Sequence, residues 1–120
     1  MRSLLFSALL YSSVTFSAVS EEGLGLLMDS ISAGWCKSES IYNDSEISTV
    51  VKGVYNSGSE GKTIILTIQK HSPIMAIYKL TRESQRGKIF SEYSKFKELS
   101  DAQKITVCGK ILDKHSPDFY

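Results

Sequence analysis

The sequence predicts an α+β fold: an antiparallel meander of three or four strands, an N-terminal and a C-terminal helix packed on one of its faces, and one disulfide stapling the two helices. Three observations lead there. Apolar residues recur at helical spacing near both ends of the chain. The segment between them is rich in Ile, Val, Thr and Tyr and alternates in polarity. The only two cysteines, Cys36 and Cys108, fall with the two helical segments.

The first twenty residues read as an export signal. Arg2 precedes an apolar stretch, Leu4 to Val19, and the small-residue end Ala18-Val19-Ser20 places cleavage just before Glu21. Ser7, Ser12, Ser13, Thr15 and Ser17 dilute this stretch, so it lacks the run of about 18 apolar residues that a stable span needs. The expected organisation is a signal peptide over 1–20 and one small domain over 21–120, working in the periplasm or outside the cell. In that oxidising setting Cys36 and Cys108 form an intramolecular disulfide closing a long loop, for which chain entropy gives roughly 4 kcal/mol.

Leu24, Leu27, Met28 and Ile31 predict the first helix over 22–34, with Glu21 and Glu22 at its positive end and Gly34 as its terminator. Cys36 then lies just beyond the helix. Lys37 to Asp44 is turn-like, and Asn43-Asp44-Ser45 has the form of an N-glycosylation acceptor in a eukaryotic host. Glu46–Tyr55 and Lys62–Lys70 read as two strands of a hairpin around the Asn56–Gly61 turn. Ile64, Leu66 and Ile68 alternate with Thr63, Thr67 and Gln69, interrupted by Ile65. His71-Ser72-Pro73 breaks the run, Ile74 to Leu80 resumes it, and Ile89-Phe90 is a candidate fourth strand beyond the basic Arg82–Lys88 stretch.

The period then changes. Tyr93, Phe96 and Leu99 suit a short helix, and Ser100-Asp101-Ala102-Gln103 has the form of a capping box. Ala102, Ile105, Cys108 and Leu112 continue at helical spacing, turning Cys108 inward.

Chemistry is sparse in this pattern. Lys-His-Ser-Pro occurs at 70–73 and again at 114–117, but both copies sit where an apolar element stops, which is turn chemistry. His71 and His115 supply the only imidazoles, and no short His or Cys spacing forms a preformed metal pair. No Gly-x-Ser-x-Gly elbow, phosphate-binding loop or calcium loop is present, so the sequence offers no catalytic residue, cofactor or metal site. Without Arg2 the chain carries thirteen basic and thirteen acidic residues. Basic residues with interleaved aromatics run from Tyr78 to Lys97, but export, neutrality and the lack of a reading module argue against nucleic acid.

The functional expectation is a non-enzymatic exported protein-binding domain, an inhibitor or immunity-like neutraliser of another exported protein. Its expected contact residues are Asn56, Ser57, Ser59 and Glu60 at the hairpin tip and Arg82, Arg86 and Lys88 in the basic segment. The alternatives are a small extracellular hydrolase with a site assembled in three dimensions, and an accessory component of an envelope assembly.

Overall fold

The structure is a computed structural model that describes residues 18–117. Among these residues it is all-helical: α1 (Glu21–Ser38), α2 (Asp44–Tyr55), α3 (Ser59–His71), α4 (Pro73–Leu80), α5 (Glu83–Glu98) and α6 (Asp101–His115). The α+β meander is therefore corrected. Each of its expected strands is a helix or part of one. The expected signal peptide lies outside the described residues except for Ala18, Val19 and Ser20.

The two outer helices follow the sequence pattern. Leu24, Leu27 and Ile31 are buried, and α1 is the hub against which α2, α3, α5 and α6 pack. It does not stop at Gly34, so Cys36 sits in its last turn rather than beyond it. At α6 the Ser100 hydroxyl accepts from the Gln103 backbone N–H at 3.2 Å and the Gln103 side chain accepts from the Ser100 N–H at 2.9 Å, completing the expected capping box. Cys36 and Cys108 form the disulfide, fully buried, with Cα atoms 6.0 Å apart.

The strand expectations fail because the apolar residues of α2 and α3 also satisfy a helical period. Ile47, Val50, Val51 and Val54 make one helical stripe, with Val50 and Val54 fully buried. Gly61, Ile64, Ile65 and Ile68 make another, and the Ile65 that broke the alternation belongs to it, 3% exposed. Residues such as Val, Ile and Thr cost a helix at most about 0.7 kcal/mol each relative to Ala, whereas burying a Val or Ile side chain gains about 1.5–3 kcal/mol. Packing decides. The threonines assigned to an outer sheet face instead donate their hydroxyls to carbonyls one turn back, Thr63 to Ser59 at 3.0 Å and Thr67 to Thr63 at 2.7 Å.

The connections are also helical. Asn43 caps α2 in a capping box with Glu46, a role its acceptor-like sequence did not suggest; the residue is exposed. The supposed hairpin tip is a helix–helix turn in which Gly58 takes φ +136°, a left-handed value suited to glycine. Just after it, Gly61 lets α3 cross α2 closely, since a Cβ there would collide with the Val54 carbonyl. His71-Ser72-Pro73 does break the chain, but between α3 and α4. Ser72 adopts φ 144° and caps α4 through the Met75 N–H at 3.2 Å.

Residues 19 and 20 tie several helices together. Val19 is buried, donates its N–H to the Leu80 carbonyl at 2.9 Å and accepts from the Gln85 side-chain amide at 2.8 Å. Ser20 caps α1 through the Gly23 N–H at 3.0 Å. The Ser20 backbone and hydroxyl both donate to the Glu60 carboxylate, at 2.8 and 2.7 Å. These five hydrogen bonds join α1, α3, the end of α4 and the first turn of α5 around one short segment.

Candidate functional site

Four helices leave an apolar cleft of about 480 Å³ between them. Ile31, Ile77 and Ile89 are buried and form its floor, drawn from α1, α4 and α5. Ile74, Phe90 and Tyr93 are 56%, 38% and 40% exposed and form its rim. Trp35 of α1 closes one side, its ring 5.0 Å from that of Tyr93 and 5.5 Å from that of Phe96. The volume lies within the range of small-molecule sites, about 300–1,000 Å³.

The side chains lining the cleft bring only three polar groups: the Ser30 hydroxyl, the Trp35 indole and the Tyr93 phenol. The Ser30 hydroxyl already donates to the Leu26 carbonyl at 2.9 Å. No carboxylate, imidazole or lysine lines the cleft. It can therefore hold apolar matter and has no titratable pair for acid–base work.

Exposed apolar surface continues along α4 through Met75 and Tyr78. The Tyr78 ring lies 6.3 Å from Phe90, and the Arg86 guanidinium sits 5.1 Å over Tyr78. At the other end of α5, the Lys97 ammonium sits 5.2 Å from the Tyr93 ring centre. Arg86, Phe90, Tyr93 and Lys97 are spaced by four, three and four residues, which places them in one stripe of the helix.

No family model, curated protein or solved structure matches this chain. The geometry of its own residues carries the functional argument.

The expected contact residues do not converge on one surface patch. Asn56 and Ser59 are exposed at the α2–α3 turn, while the Ser57 hydroxyl donates to the Val54 carbonyl at 2.6 Å and Glu60 holds Ser20. Arg82 is exposed where α5 begins, with its backbone N–H donating to the Gln85 side chain at 2.9 Å, and Lys88 is exposed on α5. Arg86 donates to the Thr81 carbonyl at 2.7 Å. Of the seven, it is the one stacked on an aromatic ring, that of Tyr78, which lies 6.3 Å from the rim residue Phe90.

The histidines take different roles. His71 is exposed in the last turn of α3. The His115 side chain is 5% exposed and places Nε2 2.7 Å from Asp29 Oδ2, an oxygen that also receives Lys114 at 2.9 Å. Gly53 makes room for it, because a Cβ there would lie 2.6 Å from that of His115. Asp29 thus clasps α1 to the end of α6, and neither histidine lines the cleft. Among the described residues no group of three or more His, Cys, Asp or Glu is placed to hold a metal ion, and no helix is long and apolar enough to cross a membrane.

The cleft was not read from the sequence, although its signal was present. Read along the chain, the aromatic and basic residues from Tyr78 to Lys97 have the mixture of a nucleic-acid surface. A helical period across 83–98 would have placed Arg86, Phe90, Tyr93 and Lys97 in one row.

Proposed function

We propose that this chain is a non-enzymatic binding protein of an exported compartment and that its ligand occupies the cleft between α1, α3, α4 and α5. The observation that carries this reading is the cleft itself: a concave, aromatic-lined volume of about 480 Å³ with an exposed apolar rim and no reacting group. Apolar area withdrawn from water supplies the driving force, and a lining held on packed helices lowers the ordering cost. The buried disulfide supports the exported setting, since such bonds persist where thiols are not kept reduced. Engagement of Ser57 and Glu60 within the fold moves the preferred contact surface from the α2–α3 turn to this cleft.

Trp35 lines the cleft and is the chain's only tryptophan, so it reports occupancy directly. Titration with the neutral apolar dye N-phenyl-1-naphthylamine should give saturable, single-site energy transfer from Trp35. Gly34 also lines the cleft, and a Cβ added there meets nothing within 4 Å, so Gly34→Leu should fill the space without disturbing the backbone. Loss of dye binding in a folded Gly34→Leu protein is expected. Absence of saturable binding to the unaltered protein, or binding unchanged by Gly34→Leu, would overturn the reading.

A further inference from the structure

We infer that the occupant of the cleft is a fatty acid: a single alkyl chain lying along α5, with its carboxylate held by Arg86 or Lys97 at one end of the aromatic row. This inference rests on the cleft being the binding site and names the chemistry of what enters it.

The lining argues for an alkyl chain. An entering peptide brings amides, and each one withdrawn from water without a partner is costly. The lining side chains offer three polar groups, one of which already donates to the protein's own backbone. An alkyl chain makes no such demand, and each buried methylene contributes about 0.8 kcal/mol. Ile31, Ile77 and Ile89 provide the apolar floor, while Trp35, Phe90 and Tyr93 provide flat walls for an extended chain.

The ends argue for an anion. Arg86 and Lys97 stand in the same stripe of α5 as the lining Phe90 and Tyr93, about three helical turns apart, or roughly 16 Å. Each cation is held beside an aromatic ring, Arg86 on Tyr78 and Lys97 on Tyr93. No carboxylate lines the cleft to oppose an anionic head. One cation at each end matches a head of single negative charge. Glu92 and Lys95, paired at 3.6 Å, line a separate groove with Met28.

The test is displacement of N-phenyl-1-naphthylamine from the full folded protein by dodecanoate, dodecanol and dodecyltrimethylammonium, each below its micelle-forming concentration. Dodecanoate should bind about tenfold more tightly than the cationic chain. Lys97→Gln and Arg86→Gln should each weaken dodecanoate by up to about fivefold, as expected for exposed ion pairs, and leave dodecanol unchanged. Lys97→Arg should restore binding. Because Arg86 also bonds the Thr81 carbonyl, Lys97, which has no such backbone bond among the described contacts, is the cleaner variant. Equal binding of all three chains, with both glutamine variants silent, would overturn the anionic head while the cleft remains a binding site. Displacement by an amphipathic Leu/Glu peptide but by no alkyl chain would overturn the inference in favour of a protein partner. Failure of the neutral dye to bind would remove the underlying reading as well.

Discussion

The Tyr42 hydroxyl donates to the Cys108 carbonyl over 2.6 Å, so the segment that follows α1 is fastened to the middle of α6 beside the Cys36–Cys108 disulfide. Tyr42 is 5% exposed. Burial pushes its phenol up to about 12, and the negative charges of Glu46, Asp29 and Asp113 add to the effect. An unfolded tyrosine titrates near 10. Tyr42 therefore contributes stability that is fully present below about pH 10 and is lost as pH rises through about 12. Tyr42→Phe should cost about 1 kcal/mol at neutral pH by deleting the hydrogen bond. The gap between the two proteins should shrink, then reverse, as denaturation is repeated up to pH 12; a constant gap would contradict the assignment.

Opening the disulfide should be costly. Cys36 and Cys108 are 72 residues apart, and closing a loop of that length restricts the unfolded chain by about 4 kcal/mol. A Cys36→Ala, Cys108→Ala protein should lose stability of that order in urea titrations. Because both sulfurs are fully buried, reduction of the unaltered protein should be slow until denaturant is added.

The start of the folded chain can be tested by making two forms, one beginning at Ala18 and one at Glu21. The shorter form lacks the Ser20 cap, the buried Val19 side chain and the carbonyl that receives the Gln85 amide. It should be less stable by roughly 3–8 kcal/mol, the combined scale of a lost cap, a lost apolar side chain and an unpaired buried amide. Equal melting temperatures would show that Val19 and Ser20 contribute nothing.

Two glycines should respond to alanine with opposite signs. Gly61→Ala drives a methyl group into the Val54 carbonyl and should cost about 1–3 kcal/mol by separating α2 from α3. Gly109 lies inside α6 with nothing within 4 Å of an added Cβ. Gly109→Ala should stabilise by about 0.5–1 kcal/mol through helix propensity. Thermal melts of the pair separate close helix crossing from backbone entropy.

Legibility in the sequence followed the type of information each element needs. Leu24, Leu27 and Ile31 have a spacing that suits a helix better than a strand, and the Ser100–Gln103 box is a local hydrogen-bond pattern, so α1 and α6 were readable. The cysteine pairing was readable because only two cysteines exist. The Lys62–Lys70 segment was ambiguous: Ile64, Leu66 and Ile68 alternate, yet Ile64, Ile65 and Ile68 also line a helix. Structure leaves Leu66 49% exposed and buries Ile65. The cleft was harder still, because Trp35, Ile77 and Phe90 come from three helices and nothing local says that they meet.

The sequence by itself determined the chain's punctuation: that helices form at either end of the domain, though not where α1 stops, where Gly58 and Ser72-Pro73 interrupt the backbone, and which two thiols join. Those features depend on covalent geometry, capping and residue count, all of which act over a few neighbours or need no partner choice. Only the tertiary structure decided that α2, α3, α4 and the first half of α5 are helices, that Val19 and Ser20 lace α1, α3, α4 and α5 together, and that an apolar cleft remains between those four. The propensity of Ile, Val and Thr for strands is worth fractions of a kcal/mol per residue, and burial against α1 outweighs it. That burial is a property of the assembled chain.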